Sequence, residues 1–167
     1  MHNELDIVFE QPIDMLIKHC RMFLYGSSAS PELAINEVAR DFYSFALMHL
    51  TCTMFLNVDN PKKDKTAGVF HRVLDPLGKS GLLRDIDDIF CKKVGDITLK
   101  AYLKERRNFL ATHRTLSPHN LSVENQNITK NPHAIEQFFI LVGELQTAVS
   151  ELYDELIKLN KDQGNES

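Results

Sequence analysis

"NPHAIEQFFILVGELQTAVSELYDELIKLN", Asn131 to Asn160, is the stretch on which the fold turns. Its apolar residues Ile135, Phe138, Val142, Leu145, Val149, Leu152, Leu156 and Leu159 recur at alternating steps of three and four without a miss. That spacing follows the 3.6-residue turn of an α-helix and lays one apolar stripe along it. Asn131 is a good N-cap. Pro132 suits the first helical position, where the N–H it lacks would have no partner anyway. The pattern predicts a helix from about 132 to about 160, roughly 40 Å long at 1.5 Å per residue, long enough to be the spine of a bundle.

The same alternation runs earlier through Ile35, Val38, Phe42, Phe45, His49, Cys52 and Leu56, with Ser30 as cap and Pro31 as opening residue. Both stripes widen on their flanks, at Phe139 and Ile157 and at Leu50 and Phe55, as helices with several neighbours do. Three weaker helical stretches complete the pattern. One covers about 12–25, between Pro12 and Gly26. A second is short, about 66–74, followed by "DPLGKSG" and another short helix near 81–93. The third covers about 96–113. No run alternates with period two over a strand's length. The chain is therefore predicted to be an all-α antiparallel bundle of about five main helices. It forms one domain over 1–162, with 163–167 a disordered tail. The polar segment Leu116 to Lys130, "LSPHNLSVENQNITK", is read as a loop, long for a bundle connection.

The composition bounds the function. With 167 residues, 43% hydrophobic and 25% charged, the chain is long enough for a sizeable core. The most apolar window, Phe42 to Val58, is interrupted by Ser44, His49, Thr51 and Thr53, and suits a buried bundle helix better than a membrane span. "MHNELDIVFE" carries acids where an export signal needs cations. Cys20, Cys52 and Cys91 form no CxxC pair, which suits reduced thiols and a cytoplasmic setting. The net charge of -4 argues against duplex binding over the whole surface and leaves room for a local basic patch.

Such a patch lies in "KERRNFLATHRTLSPH", Lys104 to His119. Between 100 and 114 the cations Lys100, Lys104, Arg106, Arg107 and Arg114 meet one carboxylate, Glu105. Arginine suits phosphate because its planar fork matches two oxygens at once. Leu99, Leu103, Arg106, Leu110 and His113 are read as one helical stripe, with Arg107 on the next. The bland reading is that Arg106 and Arg107 form a solvated face complementing the helix C-terminus, with His113 as a cap.

"RNFLATH", Arg107 to His113, resembles the motif of the HEPN family: Arg, a polar residue, a short spacer, then His. These all-helical domains include many metal-independent endoribonucleases of toxin–antitoxin, abortive-infection and CRISPR systems. Many members carry Ala directly before the His, where this chain has Thr112. The resemblance implies cleavage of single-stranded RNA without metal or cofactor. In it His113 moves protons between the 2'-hydroxyl and the leaving 5'-oxygen, Arg107 stabilises the phosphorane charge, and Asn108 orients one of them. Lys104, Arg106 and Arg114 would bind the substrate. Products would carry a 2',3'-cyclic phosphate. In family systems a nucleotidyltransferase-type antitoxin holds such a domain. The alternative is a non-catalytic HEPN-like module that binds a nucleotide or a partner protein.

On one straight helix Arg107 and His113 lie about 9 Å apart along the axis and about 120° apart around it. Side chains also lean toward the N-terminus, which takes Arg107 away from His113. Two copies packed antiparallel about a two-fold axis would bring the pairs together, so a homodimer with a composite cleft is expected. The other candidates have plainer readings. His49 is expected in the core, Asp85, Asp87 and Asp88 on a solvated helix face, and "GKSG" lacks phosphate-loop spacing.

Overall fold

The computed structural model describes residues 12–27, 37–56, 68–112 and 122–165; the side chains of 37–45, 108–112 and 163–165 lie outside that description. Seven helices, α1 (Pro12–Ser27), α2 (Glu37–Phe55), α3 (Val69–Leu74), α4 (Arg84–Cys91), α5 (Leu99–Thr112), α6 (Val123–Ile128) and α7 (Pro132–Asn165), make up most of them. A 3-10 turn, Ser80–Leu83, leads into α4. The fold is all-α.

The long C-terminal helix forms for the reason its sequence suggests. Asn131 Oδ1 accepts from the N–H groups of His133 (3.0 Å) and Ala134 (3.4 Å), satisfying two of the donors that a helix start leaves open. Leu141, Leu145, Val149, Leu152 and Leu156 are buried along it. α1 runs antiparallel to α7, tied by Asn160 to Asp14 (2.9 Å), Arg21 to Tyr153 (3.2 Å) and Gln146 to the Ser27 carbonyl (2.8 Å). Ile13, Leu16, Cys20 and Phe23 give α1 its buried face. At the end of α2 an aromatic cluster joins three helices, with Phe55 4.9 Å from Phe70 of α3 and 5.9 Å from Phe90 of α4 between ring centroids. His71 of α3 meets Asp87 of α4 at 3.0 Å.

Several expectations change. The stripe of α7 rotates at its start: Ala134 is buried while Ile135 is 37% exposed, because Gly95 of a small hairpin closes over Ala134 and Ile128. His49 is exposed rather than core, since the buried face of α2 centres on Thr51, Cys52 and Phe55. Two short strands, β1 (Lys93–Val94) and β2 (Ile97–Thr98), pair antiparallel and reverse the chain between α4 and α5. Two residues each are too few to show as alternation in sequence. Gly95 turns this hairpin at φ +60, where other residues would be strained. Its N–H donates to Gln137 Oε1 (3.1 Å). The segment 116–130 is not loop throughout, because α6 lies within it. α7 runs to Asn165, past the expected end near 160 and into the 163–167 tail. The proposed cap Ser30 and opening Pro31 fall outside the described residues. Among the described residues no helix is long and apolar enough to cross a membrane.

Candidate functional site

α5 begins where Thr98 Oγ1 accepts from the Ala101 N–H (3.2 Å), an N-cap that places the first turn directly against the hairpin. Among its described side chains the buried ones are Leu99, Leu103 and Arg107, so the arginine continues the leucine stripe at the next step of four. Sequence spacing had put Arg106 on that stripe and Arg107 beside it. The correction follows from neighbours on two sides: Leu99 and Leu103 line a cavity with Leu47, Met48 and Thr51 of α2 and Arg107 acts on Cys52 of the same helix, while α6 takes the side bearing Tyr102, Glu105 and Arg106.

Arg107 is only 7% exposed. It and Lys104, which is half-buried, act on the thiol of Cys52 in α2: burial pushes that thiol up to about 11, and the two cations pull the other way. Positive charge is thus carried into the α2–α5 contact rather than displayed on a solvated face. Both Arg107 and Lys104 have interaction partners in the fold.

Arg106 is half-buried and tightly held. Its Nε donates to Asn125 Oδ1 (2.6 Å), a terminal NH2 donates to the Asn125 carbonyl (3.3 Å), and the guanidinium carbon sits 5.4 Å from the centre of the Tyr102 ring. Asn125, 0% exposed, also donates its amide N–H to the Tyr102 carbonyl (3.3 Å) and to Glu105 Oε2 (3.0 Å). Glu105 further accepts from the Ser122 hydroxyl (2.8 Å) and from the Ser122 N–H. Ser122 in turn N-caps α6 through the Asn125 N–H (3.2 Å). One buried amide therefore grips three residues of the motif helix. Sequence reading missed Asn125, Ser122 and the role of Glu105. The signal present was a Ser ahead of an acidic first turn at Glu124, the signature of a helix start.

Of the motif residues, α5 carries Asn108 on its backbone, with the side chain outside the described residues. α5 ends at Thr112, and His113 and Arg114 follow outside them as well. The structure therefore sets Lys104 and Arg107 toward Cys52 of α2 and Arg106 toward Asn125 of α6. Elsewhere, Asp85 and Asp88 are exposed and Asp87 bonds His71. Comparison with family models, with curated proteins and with solved structures gives no match.

Proposed function

We propose that the chain is a HEPN-like metal-independent endoribonuclease that cleaves single-stranded RNA as a homodimer. His113 moves the proton, Arg107 stabilises the phosphorane charge, and Asn108 orients one of the two. Arg107 carries this reading. Arg107, a residue only 7% exposed, beside half-buried Lys104 does not fit the solvated helix end that is the bland interpretation of the motif. Charge held away from bulk water acts more strongly on a developing anion than charge on an open surface. The reading includes a toxin or abortive-infection effector role and restraint by a nucleotidyltransferase-type antitoxin, both resting on the motif's resemblance, and a cytoplasmic location.

The test is cleavage by purified protein in EDTA. Wild type is expected to give 2',3'-cyclic phosphate ends, and His113→Ala is expected to abolish them while circular dichroism stays unchanged. Activity that survives that substitution removes His113 from the mechanism. The second reading, a non-catalytic module binding a nucleotide or partner protein, draws on the hold that Asn125 has on Arg106, which gives that arginine a structural task. RNA binding or partner binding without cleavage in any buffer would favour it.

A further inference from the structure

The charge pattern around α6 points to a task for Asn125 that no motif assigns. Glu105 is the one carboxylate between residues 100 and 114, with Arg106 as its next neighbour in sequence. Adjacent residues on a helix do not face each other, so Glu105 and Arg106 meet only through a third group placed between them. Here the carboxylate accepts from Ser122 Oγ, Ser122 N–H and Asn125 Nδ2, all neutral donors on the α6 side. Arg106 meets the Asn125 side-chain oxygen, the Asn125 carbonyl and the Tyr102 ring, all neutral as well. An amide presents an oxygen and an NH2 group at once. Asn125 uses the first on the cation and the second on the anion.

We propose that Asn125 is a positioning residue that fixes the orientation of Arg106 through a neutral hydrogen-bond partner, so that α5 can hold the phosphates of an RNA strand. This rests on the reading of α5 as the RNA-binding helix. The geometry explains why the side chain must be an amide. Aspartate has nearly the same shape but would set a negative charge 2.6 Å from Arg106 Nε and against Glu105. Alanine would loosen the grip without altering any charge. Arg106 spends two N–H donors on Asn125, of the five a guanidinium has. Neutral partners fix its plane without consuming its unit charge.

The experiment is the salt dependence of binding to a mixed-sequence single-stranded RNA, measured in EDTA for wild type, Asn125→Asp, Asn125→Ala, Arg106→Gln and the double variant Asn125→Asp/Arg106→Gln. Each phosphate neutralised on a single strand contributes about 0.7 to the slope of log affinity against log salt. Asn125→Asp and Arg106→Gln are each expected to lower the slope by about 0.7. The double variant should match Arg106→Gln alone, because the aspartate acts through that arginine. Asn125→Ala should lower thermal stability and weaken binding at every salt concentration, because Arg106 loses its fixed plane, while the slope stays as in wild type, because no charge changes. A merely structural Asn125 would instead make the Asp and Ala variants alike.

An unchanged slope in Asn125→Asp, or a double variant lower than Arg106→Gln, overturns the proposal. If Asn125→Asp does not fold, the decision passes to the other variants: Arg106→Gln must still lower the slope and Asn125→Ala must not. If wild type binds RNA but cleaves none, the nuclease reading fails while this one is decided by the slopes. If wild type binds no RNA, both fall.

Discussion

Gly68 opens α3 at φ -58 and ψ 173, a backbone that any residue adopts, so its small size and not its flexibility is what the fold uses. A Cβ added there would lie 2.5 Å from the Met54 carbonyl oxygen, 2.5 Å from the Phe55 carbonyl carbon and 2.7 Å from the Phe55 Cα. Ordinary contact for such atoms begins near 3.5 Å, so the overlap is about 1 Å, and all three atoms belong to the backbone of α2. No rotamer change relieves it. In Gly68→Ala, α3 must move away from α2, which pulls Phe70 off Phe55, now 4.9 Å apart, and strains the His71 bond to Asp87. Overpacking of a rigid contact costs typically 1–3 kcal/mol, and the loosened aromatic contact adds to it, so about 3 kcal/mol is expected. For a chain of this size that lowers the melting temperature by roughly 6–12 °C. Urea unfolding followed by circular dichroism measures it directly. Gly81→Ala is the control: a Cβ there meets nothing within 4 Å, and the change should stay within about 0.5 kcal/mol. If Gly68→Ala unfolds at the same urea concentration as wild type, the α2–α3 contact is not as close as described here.

Asn125→Ala strips partners from Arg106 and Glu105 together and should cost about 2–4 kcal/mol in the same urea assay, against well under 1 for an exposed substitution such as Asn127→Ala. Burial pushes the thiols of Cys20 and Cys52 up from 9.0, to about 12 and about 11, so both stay protonated in the fold. Their contribution to stability is complete below pH 9 and is lost as pH rises through 9 toward 11–12, by about 1.4 kcal/mol per pH unit for each thiol. Urea unfolding between pH 8 and 10.5 should show this loss, and Cys20→Ala/Cys52→Ala should flatten it. Cys91 is the exposed cysteine, so a thiol reagent at pH 8 should label one site quickly in the native protein and all three in urea. Rapid native labelling of two or more sites would contradict the burial of the other two.

The bundle was legible because its main helices advertise themselves locally. The stripe of α7 and its Asn131–Pro132 start lie in consecutive residues, and the structure uses the start as read and the stripe from Leu145 through Leu156. α6 was not legible because its one local signal, the Ser122 cap ahead of Glu124, sits in a polar run without an apolar stripe. In six residues it buries only Asn125 and Ile128, and it is held by Glu105 and Arg106 some twenty residues earlier. Propensity cannot report a helix whose stability is borrowed from another element. The burial of Arg107 was hidden for a related reason. A guanidinium is assigned to the surface by habit, and only the burial of Leu99 and Leu103 ahead of it shows that the next step of four turns inward. His49 failed in the opposite sense: it shares a spacing with Cys52 and Leu56, yet the face that α2 buries is centred one residue away.

The claim that one guanidinium and one imidazole act on the same phosphodiester from two copies of the chain is tested by mixing two inactive variants. Arg107→Gln and His113→Ala, each checked for native circular dichroism, are unfolded together and refolded at equal concentration, then assayed on single-stranded RNA in EDTA. In a mixed dimer one composite cleft keeps both groups, so cleavage should return to about a quarter of the wild-type rate after random pairing. A mixture as inactive as its two components, beside an active wild type, would show that the groups do not meet across a dimer.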